Sequence, residues 1–153
     1  MSEVLRETVF ETFAEVFETM FFTVLETFEE PPGKKDFVSG RFVEATIGYS
    51  GGCNGRFVFY LPWELARNIT VNFLGIEEDE VQEAQIMDTA AETANMAIGS
   101  LLGKLDPGGS ASLGIPKVRE LADFAPQALL DDPGLFMFNT DYGILLVAGA
   151  HAG

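Results

Sequence analysis

The chain of 153 residues is 47% hydrophobic and 22% charged, a composition that builds one ordinary domain with a real core and falls short of two. Its 24 acidic residues against nine Lys and Arg give a net charge of −15, which argues against nucleic acid and disfavours an anionic membrane surface, both of which are bound through clustered cations. No apolar run reaches transmembrane length, MSEVLRET lacks a signal-peptide pattern, and one cysteine forms no internal disulfide, so one cytoplasmic domain over residues 1–153 is expected.

A first helix is predicted over residues 3–28. Leu5, Val9, Phe13, Phe17, Met20 and Val24 fall on its buried side, and Glu3, Glu7, Glu11, Glu15 and Glu18 on its solvated side. Glu-Glu-Pro-Pro-Gly then forbids continuation. A hairpin follows, with one strand over Phe37–Ile47, a turn at Gly51–Gly55 that includes Cys53, and a return over Arg56–Leu61. Cys53 has no cationic or basic neighbour to activate it, so it reads as a turn residue. Pro62 opens a helix through Trp63, Leu65, Ala66, Ile69 and Phe73 that stops at Gly75. A long helix is predicted from near Asp79 to Leu105, its first turn acidic as the macrodipole favours. Strands are expected around Ile115–Val118, over Leu135–Thr140 and over Ile144–Ala150. His151 is expected at a frayed end, with no metal or catalytic role.

The long helix carries two unlike stripes. Met87, Ala91, Ala94, Ile98 and Leu101 recur as a core-facing set, and Asp88, Glu92, Asn95 and Gly99 recur on a second stripe without an apolar residue. By itself that second stripe reads as a solvated helix face, ending on a glycine where another surface could come close. The rest of the inventory is spare. There is no phosphate-binding glycine loop, no Cys/His cluster with zinc spacing and no credible Ser-His-Asp set. What remains is carboxylate and carboxamide chemistry, in which water is held and aimed.

The spacing Asp88-x-x-x-Glu92-x-x-Asn95, followed by Pro116 in Leu-Gly-Ile-Pro, resembles the signature of the CheC/CheX/FliY family of bacterial chemotaxis phosphatases. The general layout of that family covers nearly the whole chain, although the interval from Asn95 to Pro116 is slightly shorter than its pattern. The resemblance implies an α+β, CheC-like fold: long helices packed on an antiparallel-rich sheet, built from a degenerate duplicated helix-plus-strands unit. Glu15-x-x-Glu18 stands in the first half where Glu92-x-x-Asn95 stands in the second. Glu18 occupies the place of an Asn, as expected of the single-site CheX type. The resemblance further implies hydrolysis of the phosphoaspartate of a CheY-like response regulator. Asn95 would orient the attacking water and Glu92 would engage the regulator's lysine. Asp88 and Gly99 would face the partner, and Pro116 would shape the neighbouring loop. Magnesium would come from the regulator, the chain having no metal site of its own. Homodimerisation is implied too, and the hydrophobic last strand would offer an edge for pairing. The competing readings are a non-catalytic docking module for a response regulator or flagellar switch component, and an acidic scaffold.

Overall fold

Alternating apolar residues in some segments and three-to-four-residue spacing in others dictate strands and helices that must bury one face each. In the computed structural model, which describes residues 2–52 and 54–152, they do so by laying helices across one face of an antiparallel sheet. The elements are α1 (Glu3–Phe21), β1 (Gly40–Ser50), β2 (Asn54–Pro62), α2 (Trp63–Leu74), α3 (Glu83–Leu105), β3 (Ser112–Leu113), β4 (Lys117–Phe124), β5 (Leu135–Thr140) and β6 (Gly143–Ala152). The strand order is β3-β1-β2-β6-β5, with β4 also paired to β1. The hairpins β1-β2 and β5-β6 therefore meet along β2 and β6. The α+β expectation holds. Cys53, expected in the first hairpin's turn, lies outside the described residues.

Val43, Ala45 and Ile47 of β1, Phe57, Phe59 and Leu61 of β2, and Leu145 and Val147 of β6 share one core with the helices. Phe13 reaches across the layers, its ring centroid 5.5 Å from Phe59 and 5.9 Å from Phe138. Fully burying one such ring is worth about 1.5–3 kcal/mol. The opposite sheet face is partly covered by the segment before β1 and the one before β5, where Phe37, Leu135 and Leu146 form a smaller cluster. Arg41 fastens the layers together at one corner. Its guanidinium lies 3.3 Å from the Trp63 ring centroid and bonds Glu83 of α3 at 2.9 Å and Glu120 of β4 at 2.7 Å.

Several expected boundaries move. α1 stops at Phe21 rather than Phe28, because Phe22 turns into the left-handed region at φ 51°, ψ 37°. Thr23 N–H donates back to the Phe17 carbonyl at 3.0 Å, and the Asn72 amide of α2 donates to the Phe21 carbonyl at 2.8 Å. With the helix ended there, Met20 and Val24 leave the predicted core and are 39% and 61% exposed, while Val16 and Phe21 take the buried places. Residues beyond run extended, and Glu26 pairs with Asn139 at the outer edge of β5.

α3 begins at Glu83, four residues later than expected. Glu78–Glu80 form a separate 3-10 turn, and extended Val81 interrupts it before the Gln85 side chain accepts from Gln82 N–H at 2.8 Å. The predicted strand around Ile115–Val118 runs instead over Lys117–Phe124, and Ile115 is fully outside it. Its charged composition suits an edge strand better than a core one. β1 likewise starts at Gly40 rather than Phe37, whose side chain crosses to the far cluster. The hydrophobic last strand is not an edge. β6 lies between β2 and β5, and the backbone of His151 pairs with Gly55 instead of fraying.

The Asn72–Phe21 bond crosses from α2 to the end of α1, so Asn72→Ala removes that tie and leaves the Phe21 carbonyl with only the Thr23 hydroxyl, which donates to it at 3.0 Å. The expected cost is about 1 kcal/mol, a melting temperature lower by roughly 2–4 °C for a chain of this size, measured by thermal unfolding.

Candidate functional site

α3 seats deeply because its inner face is built from small residues. Ile86, Thr89, Ala90, Thr93, Ala94, Ala97, Ile98 and Leu101 are buried. Buried Thr93 needs no outside partner, since its hydroxyl donates to the Thr89 carbonyl at 2.7 Å. The buried set is thus rotated slightly from the predicted one: Met87 and Ala91 are only half-buried at its margin. The rotation leaves Asp88, Glu92, Asn95 and Gly99 along the crest of the helix, between α1 on one side and α2 on the other.

That crest divides two grooves. On the α1 side a groove of ≈600 Å³ is lined by Asn95 and Gly99 together with Glu15, Thr19, Met20 and Leu113. On the α2 side a groove of ≈300 Å³ is lined by Asp88, Glu92, Thr89 and Gln85 with Phe73 and Leu74. The structure therefore brings the predicted residues onto one ridge but splits them in pairs. Asp88 and Glu92 overlook one groove, and Asn95 and Gly99 the other. Glu92 and Asn95 are three residues apart, about 4.5 Å along the axis, so a group resting on the crest could touch both. Among the described residues, the side chains of Asp88, Glu92 and Asn95 have no hydrogen-bond or ion-pair partner. An unpartnered carboxamide keeps both a donor and an acceptor for an incoming molecule, and an unpartnered carboxylate accepts from a cation.

Gly99 is approached by this chain's own Leu113. A Cβ placed on Gly99 would lie 3.4 Å from Leu113 Cδ1. Leu113 is held there by the loop after α3, in which the Asp106 carboxylate accepts from Ser110 Oγ at 2.8 Å and from Ala111 N–H at 2.9 Å. Gly114 N–H then donates to the Gly48 carbonyl at 2.8 Å. Pro116, half-buried, stands at the loop's exit immediately before β4, and Leu113 is the loop residue that lines the groove.

Sequence reasoning missed several groove residues. Glu15 belongs to the acidic face read as merely solvated, yet it lines the Asn95 groove and pairs with Lys104 across it at 3.6 Å. Phe73 was placed in the core stripe of α2 and is 36% exposed beside Glu92, with Leu74 next to it at 42%. Spacing gives no signal for them, since Phe73 and Leu74 continue the rows of buried Leu65–Ile69 and Ala66–Thr70 at four-residue intervals, and only the adjoining Gly75 cap marks the end of those rows. Among the described residues, no group of three or more His, Cys, Asp or Glu is placed to hold a metal ion. No helix among them is long and apolar enough to cross a membrane.

A family model described as chemotaxis phosphatase CheX matches residues 43–138, well over half of the chain and including the whole α3 ridge. The chain belongs to the CheX family. No curated protein matches it in sequence. Among solved structures, it is similar to chemotaxis protein CheX from Vibrio vulnificus, at a TM-score of 0.74 and 20% identity over 99% of this chain and 97% of that one. A CheC-like superfamily protein from Shewanella sp. PV-4 aligns at 0.72 and 20% identity over 100% of both chains. The CheX of a CheX–CheY–BeF3–Mg2+ complex from Borrelia burgdorferi aligns at 0.66 and 16% identity, covering 96% of this chain and 97% of that one. The CheC-like fold expected from the resemblance is thereby shown. Residues 1–42, which supply the α1 wall of the larger groove, lie outside the span that the CheX model matches.

The hydrogen bonds from Ser110 and Ala111 hold the Asp106 carboxyl below the usual carboxylate range. A group depressed in the folded state contributes above its unfolded value, near pH ~3.9, and that contribution is lost as pH falls through the lower folded value. Ser110→Ala should raise the Asp106 midpoint toward ~3.9. Carboxyl chemical shifts followed against pH check this, and an unmoved midpoint would remove Ser110 from the anchor.

Proposed function

We propose that this CheX-family chain hydrolyses the phosphoaspartate of a CheY-like response regulator, with Asn95 positioning the attacking water and Glu92 contacting the regulator's lysine. The observation that carries the reading is the crest of α3, where Glu92 and Asn95 stand next to each other, outward-facing and without internal partners. The Borrelia burgdorferi structure, in which a CheX is complexed with CheY, BeF3 and Mg2+, supports both the class of partner and magnesium arriving with the regulator.

The chemistry suits so small an inventory because phosphoryl transfer to water is mostly positioning and charge stabilisation. The regulator's phosphoaspartate would be lowered onto the ridge. Asn95 would accept a hydrogen bond from the water and donate one toward the phosphoryl oxygens, aligning the water opposite the aspartyl oxygen. The bond from water oxygen to phosphorus forms as the bond to the aspartyl oxygen breaks. The products are inorganic phosphate, which carries the water's protons to solvent, and the free aspartate carboxylate. Glu92 would hold the partner's ammonium before and during this step. Asp88, one turn earlier on the same groove, adds negative charge toward the same cation, and the Gly99 region receives the partner's surface.

Asn95→Ala should lower turnover by about 10²- to 10³-fold, the usual cost of losing a positioned hydrogen-bonding group, while affinity stays nearly unchanged. Glu92→Ala should weaken affinity about tenfold as well as rate, because a charge-assisted contact precedes the chemistry. Single-turnover decay of the phosphorylated regulator measures the first, and binding to the beryllofluoride form the second. Wild-type turnover in Asn95→Ala would refute the assignment, and binding without any turnover by the wild type would select the docking module.

Glu18 offers a separate check. It is exposed on α1 and does not line the Asn95 groove, and a carboxylate cannot donate as a carboxamide can. Glu18→Ala should leave the rate of regulator dephosphorylation within about twofold of wild type, the scale of an exposed change away from a site. A loss like that of Asn95→Ala would indicate a second site in α1.

A further inference from the structure

Phe22 is the one non-glycine residue with positive φ among the described residues, and it is 75% exposed. A bulky aromatic in the left-handed region is strained, and burial does not compensate it here. Its neighbours in sequence border the ridge. Met20, two residues earlier, lines the groove with Asn95. The preceding Phe21 packs its ring on Phe73 at 5.4 Å, and its carbonyl is held by Asn72. Phe73 and Leu74 line the groove with Asp88 and Glu92. Exposed apolar side chains thus stand on both sides of the Glu92–Asn95 crest, at the converging C-terminal ends of α1 and α2.

We infer that Met20, Phe22, Phe73 and Leu74 form the docking rim for the partner receiver domain, with Phe22 as the anchor that enters an apolar pocket of that domain. The inference rests on the phosphatase reading above and names how that site is recognised. Charge complementarity selects the occupant. The smaller groove pairs two carboxylates with two apolar walls, which fits one long cation: the lysine's methylene stem lies on Phe73 and Leu74, and its ammonium meets Glu92 and Asp88. A second copy of this chain, at a net charge of −15, would bring like charge to the same acidic crest. Interface energy concentrates in a few desolvated aromatic anchors surrounded by contacts that exclude water.

The test uses the full chain and a panel of CheY-type receiver domains. The receiver dephosphorylated fastest, or failing turnover the one bound most tightly, is then held with magnesium and beryllofluoride. Phe22→Gly and Phe22→Asn both accept the left-handed backbone, so the fold and melting temperature should be kept. Each should weaken receiver binding by about 10- to 100-fold and leave the single-turnover rate at saturation within about threefold. Leu74→Ser should weaken binding in the same direction, and Val38→Ala, 82% exposed on another part of the surface, should not. Unchanged affinity in both Phe22 variants with an active wild type overturns the docking rim alone. Turnover lost while affinity holds overturns it too, because Phe22 would then act on the chemistry. A dimeric wild type made monomeric by Phe22→Gly, with receiver affinity intact, assigns the rim to a second copy. A wild type that neither binds nor dephosphorylates any receiver overturns the phosphatase reading together with the rim.

Discussion

The structure depends on how closely α3 sits against the sheet. Alanines and the back-bonded Thr93 on its inner face let the helix backbone approach β1 while α1 and α2 close on its flanks. Larger residues there would lift the helix and change the height of its crest relative to the two neighbours. A polar ridge without internal partners has no contacts of its own to fix its geometry. Its position is set entirely from beneath and from the sides. Close packing supplies that rigidity, since well-packed interiors have few low-energy alternative arrangements.

The N-terminal end of α3 is secured by charge as well as by packing. Arg41 stacks on Trp63 and bonds both Glu83 and Glu120, joining β1, α2, α3 and β4 at one corner. Its guanidinium is partly exposed, so each ion pair alone is worth little. The planar stacking on Trp63 adds direction that a lysine could not give. At the other end the Asp106 loop returns the chain to β1 and lays Leu113 beside Gly99. The ridge is therefore pinned at both ends by contacts remote from Glu92 and Asn95.

Family membership and geometry carry different parts of the functional reading. The CheX model covers α3 and most of the sheet, while the α1 wall of the larger groove lies beyond it. Glu15, Thr19 and Met20 of that wall border the groove that Asn95 overlooks, so the larger groove is completed by residues outside the matched span. An acidic crest bordered by apolar side chains is a surface of mixed character. In the smaller groove two carboxylates, Asp88 and Glu92, stand beside the apolar walls of Phe73 and Leu74.

Strong periodicity and clear punctuation make α2 between Pro62 and Gly75, the β5-β6 hairpin, and the polar stripe from Asp88 to Gly99 on one helix legible from residue order. Those features are local, fixed by side-chain spacing and by residues with restricted backbones. Where α1 ends depends on long-range contacts, because Phe22 adopts a conformation that local preference opposes while the distant Asn72 holds the Phe21 carbonyl beside it. Tertiary structure likewise decided that β6 is central, that β4 is an edge, and that the stripe splits between two grooves. Each depends on which strands and helices become neighbours, and a period along one segment carries no information about what lies on either side of it.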